Sequence, residues 1–192
     1  MNTEQQNVDL VDAEVVGRFA RAALLAALMA AGAWVSIPMP LGPSITLQML
    51  VVFLAGLFLG PAWGAFSIVL YLFAGAIGVP VFAERTSGLG VLLAETGGFL
   101  LSFPVGALVV GLVVHRGRSL RNPAGVSTPV IVAGLVAATA IVYGVGFVWY
   151  AELTQISLGA SFTALVVPYI PGEIVKIVAA TAIAKLGRID PR

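Results

Sequence analysis

The chain has no cysteine among its 192 residues. Disulfides, thiolate nucleophiles and cysteine-ligated metals are therefore excluded. Charge is almost as scarce. Asp, Glu, Lys and Arg together make up 10% of the residues, against roughly 25% in a soluble domain. That small charge is also segregated, for no Asp, Glu, Lys, Arg or His occurs from Ala22 through Ala83. The single histidine, His115, has no second histidine or carboxylate at ligand spacing, so no metal site is expected. No stretch fits the phosphate-binding pattern G-x-x-x-x-G-K-S/T, which excludes ATP hydrolysis through that machinery. A net charge of +1 gives no reason to expect a nucleic-acid partner.

What is there is apolar. Hydrophobic residues make up 59% of the chain and the mean hydropathy is +1.04. The chain reads as an integral membrane protein, all-α, with multi-pass spans of about 20 apolar residues each. Six spans are expected: about Arg18–Ile37, Ile45–Gly60, Trp63–Val79, Gly97–His115, Pro129–Tyr150 and Phe162–Leu186. Pro38, Pro40 and Pro43 close the first, and Gly60-Pro61 makes the turn between the second and third. The sixth is interrupted near Pro168 and Pro171. With six spans the two termini share a side. That side collects Arg18, Arg21, Arg116, Arg118, Arg121, Lys185, Arg188 and Arg192, and the other has only Arg85. The positive-inside rule then makes both termini cytoplasmic. The expected organisation is a cytoplasmic tail over 1–17, a six-helix membrane domain over 18–186 and a second cytoplasmic tail over 187–192. The N-terminal tail lacks the basic and short apolar regions of a cleaved signal and is expected to be retained.

Between Glu152 and Lys185 the only acids or bases are Glu173 and Lys176. Ionisable groups inside a bilayer are costly, so they face an interior or a cavity and have a partner. Spaced i, i+3, these two share a helix face and can meet each other or grip one ligand. Pro171 suits the start of a helix. Glu173 then lies in a first turn whose N–H groups point into the space ahead. The plainer alternative is a structural ion pair that locks the last helix.

Other features carry weaker signals. Thr46 and Gln48 open the second span with a hydroxyl and an amide able to read a ligand carbonyl or N–H; the alternative is an interhelical hydrogen bond. Gly88 and Gly90, and Gly97 and Gly98 after Thr96, flank an external loop and permit close backbone approach. Val91, Leu92 and Leu93 make that loop apolar, as in a lid folded onto the membrane domain or an ordinary interfacial turn. Ala22, Ala26 and Ala30, with Ala23, Ala27 and Ala31 beside them, repeat at four-residue spacing and admit a close helix partner, within the chain or outside it. Trp34, Trp63, Trp149 and Tyr150 read as an interfacial belt, although Trp34 is also a candidate for the cavity wall.

An ordered set of these segments resembles a known family. It comprises Trp34-Val35-Ser36-Ile37-Pro38, Ile45-Thr46-Leu47-Gln48, Leu54-Ala55-Gly56-Leu57-Phe58-Leu59-Gly60-Pro61 and Gly75-Ala76-Ile77-Gly78-Val79-Pro80-Val81-Phe82-Ala83. Gly88-Leu89-Gly90-Val91-Leu92-Leu93, Thr96-Gly97-Gly98-Phe99 and Pro171-Gly172-Glu173-Ile174-Val175-Lys176 complete it. From about Arg21 to Leu186 the chain is similar to the BioY family, the biotin-specific S components of energy-coupling factor (ECF) transporters. It departs at Glu173, where the family pattern usually has Asp, and at Phe99, where it has Tyr. Glu84-Arg85-Thr86 and Glu95 also make the loop more charged.

The resemblance implies a six-helix protein of the cell membrane that captures biotin from outside. It would work with a transmembrane T component and two ATPase subunits, amid membrane lipid. No cofactor is implied, ATP being used by the partners. Glu173 and Lys176 would contribute to the biotin site, and the alanine-rich first helix would dock the T component. The chemistry is compatible. Glu173 can accept from the ureido N–H groups and Lys176 can donate to the ureido oxygen. Arg85 is a candidate for the ligand carboxylate. Gln48, Thr46, Gly97, Gly98 and Trp34 complete the candidate site. Alternatives are an intramembrane enzyme using Glu173 as base with Lys176, an S-type subunit for another small vitamin, and a structural scaffold.

Overall fold

The computed structural model describes residues 13–40, 42–117 and 120–187. The tail before residue 13 and the basic residues Arg118, Arg188 and Arg192 lie outside the described residues. Helix α1 (Ala13–Trp34) leads through strands β1 (Ser36–Ile37) and β2 (Ile45–Thr46) into α2 (Gln48–Ala76). A 3-10 turn at Ala83–Arg85 and the short α3 (Leu89–Leu93) precede α4 (Gly97–His115). A second 3-10 turn, Pro123–Gly125, precedes α5 (Thr128–Thr154). Then come α6 (Leu158–Leu165), a turn at Val167–Tyr169 and α7 (Ile170–Lys185). Five helical stretches among the described residues are long and apolar enough to cross a membrane; α6 and α7 together form the last. The protein is a multi-pass membrane protein.

α2 is not a straight rod. Its 29 residues would reach about 44 Å if straight. Gly60 instead has φ 75° and ψ −173°, a conformation essentially confined to glycine, and Pro61 follows with no N–H to continue the ladder. The chain folds back on itself there. A Cβ at Gly64 would lie 2.7 Å from the Ala55 carbonyl oxygen, and the Gln48 side chain reaches Tyr71 at 2.8 Å. The two halves therefore lie side by side, as the expected Gly60-Pro61 turn requires.

α2 packs on α1 and α4, and α4 on α5. Phe53, Leu57, Phe103, Val110 and Leu135 lie in the shared core. The turn at Gly60 is clamped by His115, which is fully buried. Arg121 N–H donates to His115 Nδ1 at 3.0 Å, so Nε2 carries the proton and donates to the Leu57 carbonyl at 3.0 Å. One imidazole thus joins the α2 reversal, the end of α4 and the following loop. Lys185 reaches the same end, donating to the carbonyls of Ala124 and Val126.

Some element boundaries differ from expectation. α1 begins at Ala13 rather than Arg18 and stops at Trp34 rather than Ile37. Ser36 and Ile37 pair instead with Thr46 and Ile45 in an antiparallel ladder. The prolines at 38, 40 and 43 forbid helix between them, and the β-branched residues on either side favour extended backbone. α4 coincides with the expected fourth span.

Candidate ligand-binding site

The site forms where α7 begins. Pro171 sits in the first turn of α7 and Glu173 follows it. Glu173 and Lys176 are both buried, on the face that meets α2 and α5. Lys176 Nζ donates to Glu173 Oε1 at 2.6 Å, and Tyr143 of α5 donates its hydroxyl to the same oxygen at 2.9 Å. Glu173 Oε2 is buried and has no hydrogen-bond partner among the described residues. An unsatisfied buried acceptor costs free energy that a ligand N–H recovers.

Gln48 stands opposite, at the start of α2. Its Nε2 donates to Tyr71 at 2.8 Å and its Oε1 accepts from Thr46 at 2.9 Å. Both neighbours thereby fix which way the amide faces. Glu173, Lys176, Tyr143, Gln48 and Thr46 line one small cavity of about 50 Å³. A second, of about 280 Å³, opens beside it toward the loops, with Glu84, Thr86, Val91 and Thr96 in its wall. Pro43, Ser44, Gln48, Phe99 and Phe103 line both, so the two adjoin. The inner one has charged, buried walls, and the outer one is broader and mixed.

The other candidate residues lie elsewhere. Arg85 does not line either cavity. Its guanidinium lies over the Trp34 ring at 5.5 Å, and Trp34 donates to the Pro80 carbonyl at 3.1 Å. The two form a rim outside the cavity. Gly97 and Gly98 are packing positions: a Cβ would strike the Leu92 carbonyl at 1.9 Å and the Trp149 side chain at 2.4 Å. They let the start of α4 close against α3 and α5, while their neighbours Thr96 and Phe99 face the cavity. The alanine rows of α1 divide. Ala22 is fully buried and Ala26 and Ala30 are half-buried on the protein core, whereas Ala23, Ala27 and Ala31 are exposed. His115 serves the α2 turn, at the opposite end from the site.

Tyr143, Ser44, Glu84 and Phe103 are cavity residues that sequence reasoning did not single out. Tyr143 left a trace, a phenol in the apolar run of α5. Phe99 packs edge-on against it, with ring centroids 5.6 Å apart. Glu84 showed only as added charge in the loop and Ser44 left no trace, because only the folded loops bring them together.

A helical membrane bundle enclosing a buried acid–base pair, with polar side chains converging on two adjoining cavities, defines a membrane protein built to hold a small polar ligand. Residues 2–190 match the model of the BioY family, and the chain belongs to that family. The chain is 35% identical over 164 residues to the probable biotin transporter BioY of Pyrococcus horikoshii, covering 85% of this chain and 91% of that one. It is 36% identical over 168 residues to the biotin transporter BioY of Thermotoga maritima, with coverage of 85% and 91%. It is 38% identical over 172 residues to that of Rhodobacter capsulatus, with coverage of 84% and 88%. The fold is similar to the crystal structure of an S-component for biotin from an ECF-type ABC transporter. The TM-score is 0.83 at 23% identity, over 93% of this chain and 94% of the other.

Proposed function

We propose that the protein captures biotin from the exterior as the S subunit of an ECF transporter in the cell membrane. It would pass biotin inward with a T component and two ATPase subunits. One observation carries the reading of the site: the buried Glu173–Lys176 pair with Glu173 Oε2 unpartnered. A ureido ring offers two N–H donors and one carbonyl acceptor. Glu173 Oε2 accepts from the ring, Lys176 donates to its oxygen, and the oriented amide of Gln48 supplies a further contact. Charge-assisted hydrogen bonds are about twice as strong as neutral ones, so this head dominates recognition. Phe99 and Phe103 cover the apolar ring and chain. Capture and release break no covalent bond, and the function is transport rather than catalysis.

The topology in this reading has six crossings, with the two halves of α2 counted separately, and both termini in the cytoplasm. The side-by-side packing of those halves supports the count. Arg21, Arg116, Arg121 and Lys185 at one end support the orientation. On α1, the exposed row Ala23, Ala27 and Ala31 is the better surface for the T component, since the neighbouring row already packs inward.

The test is calorimetry on the purified protein with biotin, desthiobiotin and an unrelated vitamin. Biotin and desthiobiotin share the ureido group, and both should bind. Failure of both, with binding of the other vitamin, would reassign the site.

A further inference from the structure

The loop after α2 places two opposite charges on opposite sides of one turn. Glu84 and Arg85 both have left-handed backbone, with φ 57° and 59°. The turn is held by Phe82 N–H to the Thr86 carbonyl at 3.1 Å and Arg85 N–H to the Phe82 carbonyl at 3.1 Å. Phe82 itself is buried. It packs edge-on to Tyr71 and lies so close to Gly75 that a Cβ there would meet its ring at 2.1 Å. The turn is therefore anchored to α2 from below, and its side chains are sorted by backbone geometry. Arg85 goes outward, over Trp34. Glu84 goes to the wall of the larger cavity, where Ser44 donates to its Oε1 at 2.5 Å.

This sorting bears on the tail of the ligand. If the ureido head lies at Glu173 and Lys176, the tail runs past Gln48, Phe99 and Phe103 into the larger cavity. Its end group then meets Glu84, with Ser44, Thr86 and Thr96 around it. Among the described residues no lysine or arginine lines that cavity. A carboxylate facing a carboxylate is penalised, whereas an amide or a cation is not.

We propose that Glu84 reads the far end of the ligand and sets the tail specificity of this chain. It favours biotin derivatives ending in a neutral amide or a cation over the free acid. This rests on the biotin reading above.

The experiment uses the full chain in detergent and compares biotin, biotinamide and the amide of biotin with ethylenediamine, which ends in a cation. The unmodified protein should bind both amides more tightly than biotin. The advantage should be greater for the cationic one and should shrink from about 50 mM to about 500 mM salt, as screening requires. Glu84→Gln keeps an acceptor for Ser44 but removes the charge. It should tighten biotin about fivefold and leave biotinamide within about twofold, roughly the effect of one exposed unit charge at contact. Glu95→Gln, outside the cavity, should leave the biotin-to-biotinamide ratio unchanged. An equal ratio in the unmodified protein and Glu84→Gln overturns the proposal, as does an equal shift in Glu95→Gln. A preference for amides that ignores salt overturns it even if Glu84→Gln does not fold. If none of the three compounds binds, the biotin reading itself has failed. Binding of all three with a ratio blind to Glu84 defeats this inference alone.

Discussion

Gln48 donates to the hydroxyl of Tyr71 at 2.8 Å, across the reversal of α2. The bond joins the two arms of a helical hairpin at the wall of the ligand cavity. With Thr46 donating to its other end, the amide is oriented before any ligand arrives. Such preorganisation reduces the ordering cost of binding.

Tyr71→Phe removes the acceptor and leaves the amide N–H of Gln48 without its partner. The cost should be about 1–3 kcal/mol of stability, read as a lower melting temperature in detergent. Biotin affinity should also fall, because the amide is then free to turn over. Gln48→Leu should lose affinity and at least as much stability, since it strands the buried hydroxyls of both Tyr71 and Thr46. If Tyr71→Phe leaves both readouts unchanged, the bond has no orienting role.

Glu173→Gln should weaken biotin binding while Lys176→Ala harms binding and stability together. Removing one member of a buried pair costs about 3–5 kcal/mol, since the remaining charge is stranded. Tyr143→Phe should give a milder loss, because Glu173 Oε1 keeps Lys176 as a partner. Binding isotherms and melting curves on the three variants check the order. Unchanged biotin affinity in Glu173→Gln and Lys176→Ala would return the pair to a purely structural role.

Gly60→Ala should destabilise the protein without touching the cavity. The backbone there is in a region where other residues pay about 1–3 kcal/mol, and the new Cβ would come within 2.7 Å of Leu120. A melting temperature equal to that of the parent protein would show that the turn tolerates a side chain.

The two alanine rows of α1 should respond differently to leucine. Ala22→Leu and Ala26→Leu press into the packed interior and should cost about 1–3 kcal/mol. Ala23→Leu and Ala27→Leu face outward and should spare folding and biotin binding but impair uptake by cells. Binding and uptake measured on the same variants separate the cases. Binding that falls in step with uptake for Ala27→Leu would place that row inside the site's own support.

The sequence made the helices legible because long apolar runs and Gly-Pro punctuation are local signals. It exposed the buried ion pair of the candidate site for the same reason: Glu173 and Lys176 are charges in an apolar helix, three residues apart. It did not show Tyr143 as their third partner, since a tyrosine in an apolar span is ordinary until α5 is placed beside α7. Arg85 was the natural candidate for the ligand carboxylate by charge alone. Its neighbour Glu84 occupies the cavity wall instead, because two consecutive left-handed residues decide the direction of each side chain. The glycines at 97 and 98 read as ligand-facing for want of a Cβ, yet α3 and Trp149 fill the space that each leaves.

The pairing of Glu173 with Lys176 on one turn also bears on how the protein reaches its membrane. A lone acid or base at the centre of a nascent span opposes insertion by about 2.5–3.5 kcal/mol. Here the two arrive on the same short helix, already able to neutralise each other before that helix docks on α2 and α5. α7 can therefore enter the lipid with no net charge at that turn and find Tyr143 afterwards. A substitution at either residue breaks that neutrality during biogenesis. The amount of protein in the membrane has to be counted before lost uptake is ascribed to lost affinity.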